Sequence, residues 1–205
     1  MQGFILHVRK AKNEDVIATV LTRERIETLY RFYGARHPVV AAGYKIDFEI
    51  EKDALPFLPR LRHVIHLGFP WLTDPIRLQV WRHFISLLYE HLKDVEVPGA
   101  FYYDLLEERA KIWHLQNPKR NAVEAYLQIL EYEGRLHPPD ACFICGHALQ
   151  ERISLARAFL PAHPRCIVAK SFPTAEIARL FETKQTIHLD DDAVERLWLT
   201  LLEGM

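Results

Sequence analysis

Over the first 70 residues, apolar side chains recur with a period of two. Phe4, Leu6 and Val8 alternate with Ile5, His7 and Arg9, and Val16 to Leu21 is a second, β-branched run. The turn-like stretch Arg9-Lys10-Ala11-Lys12-Asn13-Glu14-Asp15 separates them. A third segment covers about Ile26 to Tyr33. The fourth is the most regular: Tyr44, Ile46, Phe48 and Ile50 alternate with Lys45, Asp47, Glu49 and Glu51. Alternation sends successive side chains to opposite faces, one for a core and one for water. Pro56 and Pro59 punctuate the chain before a fifth strand from Arg60 to Leu67. Five short strands in so few residues predict a small closed sheet rather than a sandwich.

At Trp71 the period changes. Asp74-Pro75 is a helix start, a capping carboxylate followed by proline at the first helical position. Trp81, Phe84, Ile85, Leu88 and Leu92 then recur at helical spacing, and Pro98-Gly99 ends the run. Two further helices are predicted over Phe101 to Leu115 and Ala122 to Glu133, separated by Asn117-Pro118, with Gly134 as a left-handed cap. Leu149 to Leu160 also reads as helical. Thr174 to Glu182 and Asp190 to Leu202 close the chain, each led by a capping residue. The change of period puts a boundary near residue 70, with domains 1–70 and 71–205.

Composition narrows the class. The hydrophobic fraction of 49% and charged fraction of 26% suit a folded protein and argue against long disorder. No apolar run reaches membrane-spanning length, and Met1 to Arg9 carries no secretory pattern, so a cytoplasmic location is expected. The net charge of −1 hides an asymmetry: residues 1–70 hold 11 Lys+Arg against 8 Asp+Glu, and the remainder 15 against 19. A basic N-terminal part is compatible with a nucleic-acid face and also with an ordinary solvated surface.

Cys142-Phe143-Ile144-Cys145-Gly146 is the sharpest local motif. Two thiolates three residues apart on a tight turn can grip one tetrahedral zinc. His163 and Cys166 repeat the spacing after 17 intervening residues, so Cys142, Cys145, His163 and Cys166 form a candidate structural zinc set. His137 and His147 are rival fourth ligands, and a reduced redox pair or three small core thiols would also fit the motif. No phosphate-binding glycine loop, G-x-S-x-G or H-E-x-x-H is present, and the expectation is a protein that is not an enzyme. His63 and His66 read as strand histidines and Asp190-Asp191-Asp192 as a helix cap. The basic residues Lys10, Lys12, Arg23, Arg25, Arg31 and Arg36 lie mostly in connections, among Tyr30, Phe32 and Tyr33. Cations for phosphates interleaved with rings for stacking suit single-strand binding, although rings of this kind more commonly fill a barrel core.

These pieces together resemble a RecO recombination mediator. Met1 to Leu6, the turn Lys12-Asn13-Glu14-Asp15 and the following strand are similar to that family's first hairpin. Gly34-Ala35-Arg36-His37 resembles its basic segment, Val123 to Leu136 the helix before its knuckle, and Cys142-x-x-Cys145-Gly146 the knuckle's first half. The departures are a His in place of one cysteine of the second pair, His37-Pro38 where the family is often richer in cations, and a short helical part. The resemblance implies an α+β chain, an N-terminal OB-fold barrel followed by an α-helical domain with a zinc knuckle. It further implies binding to single- and double-stranded DNA, annealing, and loading of RecA together with RecR. It also implies capture of the acidic tail of single-strand-binding protein, for which Lys111, Lys119 and Arg120 are candidate contacts, with Leu115 or Tyr126 as apolar wall. An RNA-binding OB-fold and zinc protein of translation or RNA processing is the alternative. A metal-dependent nucleic-acid enzyme is a further one, with Asp140 as the only acidic residue beside the knuckle.

Overall fold

β1 (Gln2–Lys10), β2 (Val16–Thr22), β3 (Ile26–Arg31), β4 (Lys45–Glu51) and β5 (Arg60–Leu67) close into a barrel in the order β1-β2-β3-β5-β4. The β3–β5 contact is parallel and the other pairings are antiparallel. That order is the Greek-key closure of an OB-fold. The structure, a computed structural model, describes residues 1–52 and 57–205, and Pro56 lies outside them.

Ile5, Val16, Val20, Leu29, Ile46, Phe48 and Leu61 fill the barrel. β4 follows its alternation, with Ile46 and Phe48 inside. β1 departs from it, because the register shifts between Ile5 and His7. A bulge of this kind changes which parity faces inward, so Ile5 and Val8 both reach the core. Phe4 turns out of the barrel instead, with its ring 5.6 Å from Tyr103 and 6.2 Å from Trp81. Burial on both faces accounts for the unbroken apolar run Phe4-Ile5-Leu6.

The outward-facing apolar side is covered by α1 (Pro75–Leu92) and α2 (Ala100–Ile112). Trp71, Trp81 and Trp113 pack edge-on or tilted at 4.9–6.1 Å. Their indole N–H groups donate to the carbonyls of Ala110, Gly43 and Arg77, so each large ring is buried without an orphaned donor. Buried Lys45 of β4 forms an ion pair with the partly buried Glu107 of α2. The chain therefore groups into compact units Met1–Leu115 and Gln116–Met205, although the strand-to-helix change itself comes between Leu67 and Pro75.

The second unit contains α3 (Pro118–Tyr132), β6 (Arg152–Leu155), β7 (Pro161–Ala162), β8 (Ser171–Pro173), α4 (Thr174–Thr183) and α5 (Asp191–Leu202). α3 starts four residues before the predicted Ala122, because the Asn117 side chain accepts the Lys119 N–H and Pro118 takes the first helical position. It ends in a Schellman motif. Gly134 has φ +68, its N–H donates to Glu131, and the Arg135 N–H donates to Leu130.

The expected helix at Leu149 to Leu160 is absent. β6 pairs antiparallel with β7 and β8 there, and Arg157–Phe159 makes a tight turn. Ile153 and Leu155 alternate as a strand requires, and a short apolar run of this kind is ambiguous until its pairing partners are known. Asp190 caps α5 by accepting the Ala193 N–H. Thr174 is not the cap of α4: its hydroxyl donates to the Gln150 carbonyl, which ties the helix start to the preceding loop. Among the described residues, no helix is long and apolar enough to cross a membrane.

Candidate metal centre and nucleic-acid interface

Two loops of the second unit bring Cys142, Cys145, His163 and Cys166 together, with one ligand atom of each within 4.8 Å of the others. The set includes His163 and neither His137 nor His147. Gly146, at φ +71, turns the first loop back so that its N–H donates to the Cys142 carbonyl. The Cys166 N–H donates to the His163 carbonyl in the second. His163 Nδ1 lies 3.4 Å from Cys145 Sγ and 3.9 Å from Cys166 Sγ, and the two sulfurs are 4.0 Å apart. A tetrahedral zinc with ordinary bond lengths sets ligand separations of about 3.5–3.8 Å, so these edges match one ion at the centre.

The surroundings prepare the donors. A carbonyl can only accept, so the 3.0 Å contact of His163 Nε2 with the Ala148 oxygen places a proton on Nε2 and leaves Nδ1 for a metal. Burial pushes the Cys142 thiol up, but the backbone N–H groups of Cys145, His163 and Ile144 bring it down to about 6. Burial and the neighbouring Cys142 and Cys145 raise the Cys166 thiol. A bound divalent cation would take the cysteines as thiolates and offset the repulsion among their charges. Three sulfurs and one imidazole in this geometry fit a soft or borderline metal in a closed site.

The barrel presents a different chemistry. Arg9 pairs with Ile17, Ile17 with Tyr30, and Tyr30 with Arg60, so Arg9, Tyr30 and Arg60 share one outer face. Phe32 continues that face, its ring edge-on to Tyr30 at 5.0 Å, with the Arg60 guanidinium 5.1 Å above it. The Arg36 guanidinium lies 5.4 Å from the Tyr33 ring. Phe32 is 44% exposed and Tyr33 57%, so these two rings stand in water and do not fill the core.

A local clamp holds them there. Asp15 accepts the Tyr30 hydroxyl and, at 2.7 Å, the Tyr33 N–H, with Tyr33 at φ +50. These hydrogen bonds from Tyr30 and then Tyr33 hold the Asp15 carboxyl below its ordinary value, against the opposing effect of burial. Gly34 is required by close approach: a Cβ there would stand 2.3 Å from Val16 Cγ2.

The six cations proposed from sequence divide between the two ends of β3. Lys10, Lys12, Arg31 and Arg36 lie at the end that carries Phe32 and Tyr33. Lys10 and Lys12 are exposed, with no ion pair among the described residues. Arg36 pairs with Glu14. Arg31 donates to the Leu61 carbonyl at 3.0 Å, and burial, followed by Arg62 nearby, lowers its pKa. Arg23 and Arg25 lie at the far end and bind Asp104 and Glu27. Arg9 and Arg60 escaped the sequence reading, because their place beside Tyr30 depends on the strand register.

The proposed partner residues do not all face outward. Lys111 lies in the first unit and binds Glu107 at 3.2 Å. In the second unit Lys119 pairs with Glu195, and Arg120 donates to the carbonyls of Thr186 and Leu189 and to Asp191. Arg120 thus braces the entry to α5. Leu115 is exposed, whereas the Tyr126 ring is fully buried and is not available as an apolar wall.

Residues 1–72 match the family model described as RecO N terminal. No curated protein matches the chain.

Proposed function

We propose that this chain, a member of the RecO family by its N-terminal domain, is a recombination mediator of DNA repair that holds single-stranded DNA on the outer face of its barrel. The observation that carries this reading is the exposed pair Phe32 and Tyr33, each with an arginine over its ring, on a domain of that family. Bases stack on the rings, while Arg9, Lys10, Lys12, Arg36 and Arg60 meet phosphates. Such a face tolerates any sequence, as a mediator of annealing requires. Double-stranded DNA would use the same cations without the stacking. The role is one of binding, not bond-making.

Zinc is the proposed occupant of the cysteine–histidine site, where it would cross-link two loops and supply folding energy. RecR and the acidic tail of single-strand-binding protein are proposed partners in loading RecA. Lys119 and Arg120 already hold Glu195 and Asp191, so a tail carboxylate would have to displace an internal one. Lys119→Glu should weaken binding of a labelled tail peptide in an anisotropy titration, and unchanged affinity places the receptor elsewhere.

Fluorescence anisotropy with single-stranded DNA and RNA of equal sequence tests the main reading. DNA should bind at least as tightly as RNA. Phe32→Ala should weaken binding by about 1–3 kcal/mol, the usual worth of one stacked base. Arg9→Ala with Arg60→Ala should flatten the salt dependence, because each phosphate contact released lowers the slope. A clear preference for RNA would transfer the protein to translation or RNA processing.

A further inference from the structure

Five of the ten Lys and Arg side chains of the second unit are held by carboxylates. Lys119, Arg120, Arg135, Lys184 and Arg196 bind Glu195, Asp191, Glu133, Glu131 and Asp192. The stretch from Arg152 to Lys170 contains no acidic residue at all. Within it, Arg152, Arg165 and Lys170 form no ion pair among the described residues. Arg152 spends its N–H groups on Ser171, a neutral acceptor that leaves its charge uncompensated. Arg165 and Lys170 are exposed on the loop that carries His163 and Cys166.

Apolar side chains stand out on the same pair of loops. Phe143 is 43% exposed and Ile144 55%, both between the first two cysteines, and Val168 just beyond Cys166 is fully exposed. The loops themselves are pinned. The Phe143 N–H donates to the Pro161 carbonyl at 3.0 Å, the Ser154 hydroxyl to the Ala169 carbonyl at 3.0 Å, and the four ligands converge between them. An exposed phenylalanine on a rigid turn contributes little to folding, since its ring stays in water. A ring fixed in place, with unpaired cations on the neighbouring loop, suits an unstacked base and its phosphates.

We propose that these knuckle loops form a second contact for single-stranded nucleic acid. Phe143 stacks on a base, Ile144 and Val168 flank it, and Arg165 and Lys170 meet the backbone. The proposal rests on the DNA-binding reading above and adds a site in the other unit. An acidic peptide with an apolar side chain shares part of this chemistry, but such a side chain needs an enclosing socket. The depression beside Cys166 is shallow and lined by the single loop Pro164 to Lys170, which offers no such socket.

Photocrosslinking of the full-length protein to a single-stranded oligonucleotide carrying 5-iodouracil, with peptides mapped by mass spectrometry, tests it. Crosslinks are expected on the peptide containing Phe143 as well as on the barrel. Phe143→Ala should remove the first set and weaken binding roughly 5- to 100-fold, the effect of losing one stacked base. Arg165→Ala with Lys170→Ala should flatten the salt slope. All these side chains are exposed, so melting and metal content should not change. Crosslinks confined to the barrel, with affinity untouched by Phe143→Ala, would overturn the knuckle contact and leave the barrel reading intact. No crosslink and no binding would remove both. If Phe143→Ala abolishes binding of an acidic, phenylalanine-containing peptide and leaves DNA affinity unchanged, the loops belong to a protein partner instead.

Discussion

Asp15 is a single carboxylate on which the exposed ring pair depends. It receives the Tyr30 hydroxyl and the Tyr33 N–H, and so fixes where β3 leaves the barrel. Its folded pKa lies below the ordinary 3.8. A depressed carboxylate contributes stability that is fully present above its unfolded value and is lost as pH falls through the folded one. The protein should therefore lose stability below about pH 4 partly through this group. In thermal melts across that range, Asp15→Asn should be less stable than the parent at neutral pH and should show a shallower acid limb. Parallel acid limbs would show that Asp15 is not the linked group. Gly34→Ala tests the same corner sterically. Its Cβ would meet Val16 at 2.3 Å, so the 3-10 turn that carries Arg36 must lift from the barrel. Lower melting together with weaker DNA binding is the expected result.

At the scale of elements, the tie between barrel and helices rests on more than apolar packing. Lys45 is buried, paired with Glu107, and placed 5.9 Å from both the Phe4 and Tyr103 rings. Burial pushes the Glu107 carboxyl up, but Lys45 and Lys111 outweigh that and hold it below its ordinary value. Removing one member of a buried pair leaves the other charge stranded, at a cost of about 3–5 kcal/mol. Glu107→Ala should thus destabilise strongly in denaturant melts. The double replacement Lys45→Met with Glu107→Leu should recover most of the loss, because an apolar pair strands no charge. No recovery in the double variant would mean that the ion pair itself, and not its broken half, sets the cost. The zinc loops obey a related rule. Each is a tight turn with its own backbone hydrogen bond, so the ligands are aimed before a metal arrives.

The whole molecule consists of two compact units with different sources of stability. The first has a closed barrel, two helices and three buried tryptophans. The second holds its small three-stranded sheet beside a cluster of three cysteines and one histidine whose ligand atoms lie within 4.8 Å of one another. Elemental analysis should find about one zinc per chain, as one tetrahedral set implies. Chelation, or Cys142→Ser, should lower the melting of the second unit and leave the near-ultraviolet signal of Trp71, Trp81 and Trp113 in place. Unchanged melting after complete metal removal would rule out a structural role. A uniform loss of all signals would show that the units do not melt separately.

The sequence by itself determined much of this protein. Strict alternation in β4, the Asp74-Pro75 start, the Gly134 cap and the paired spacing around Cys142 and His163 are local rules, in which neighbours a few residues apart settle the outcome. The same local patterns carried the resemblance to the RecO family, whose N-terminal model matches residues 1–72. Tertiary structure alone decided the rest. The bulge in β1 put Phe4 outside the barrel, and pairing with β7 and β8 turned residues 152–155 into a strand where periodicity had read a helix. Strand register set Arg9 and Arg60 beside Tyr30, and the Asp15 clamp kept Phe32 and Tyr33 in water. Arg120 became a brace because the carbonyls it binds lie more than sixty residues along the chain. Hydrophobic periodicity records how much of a side chain is buried. It does not record which distant segment buries it, or which charge it meets, because those contacts form only when the chain closes on itself.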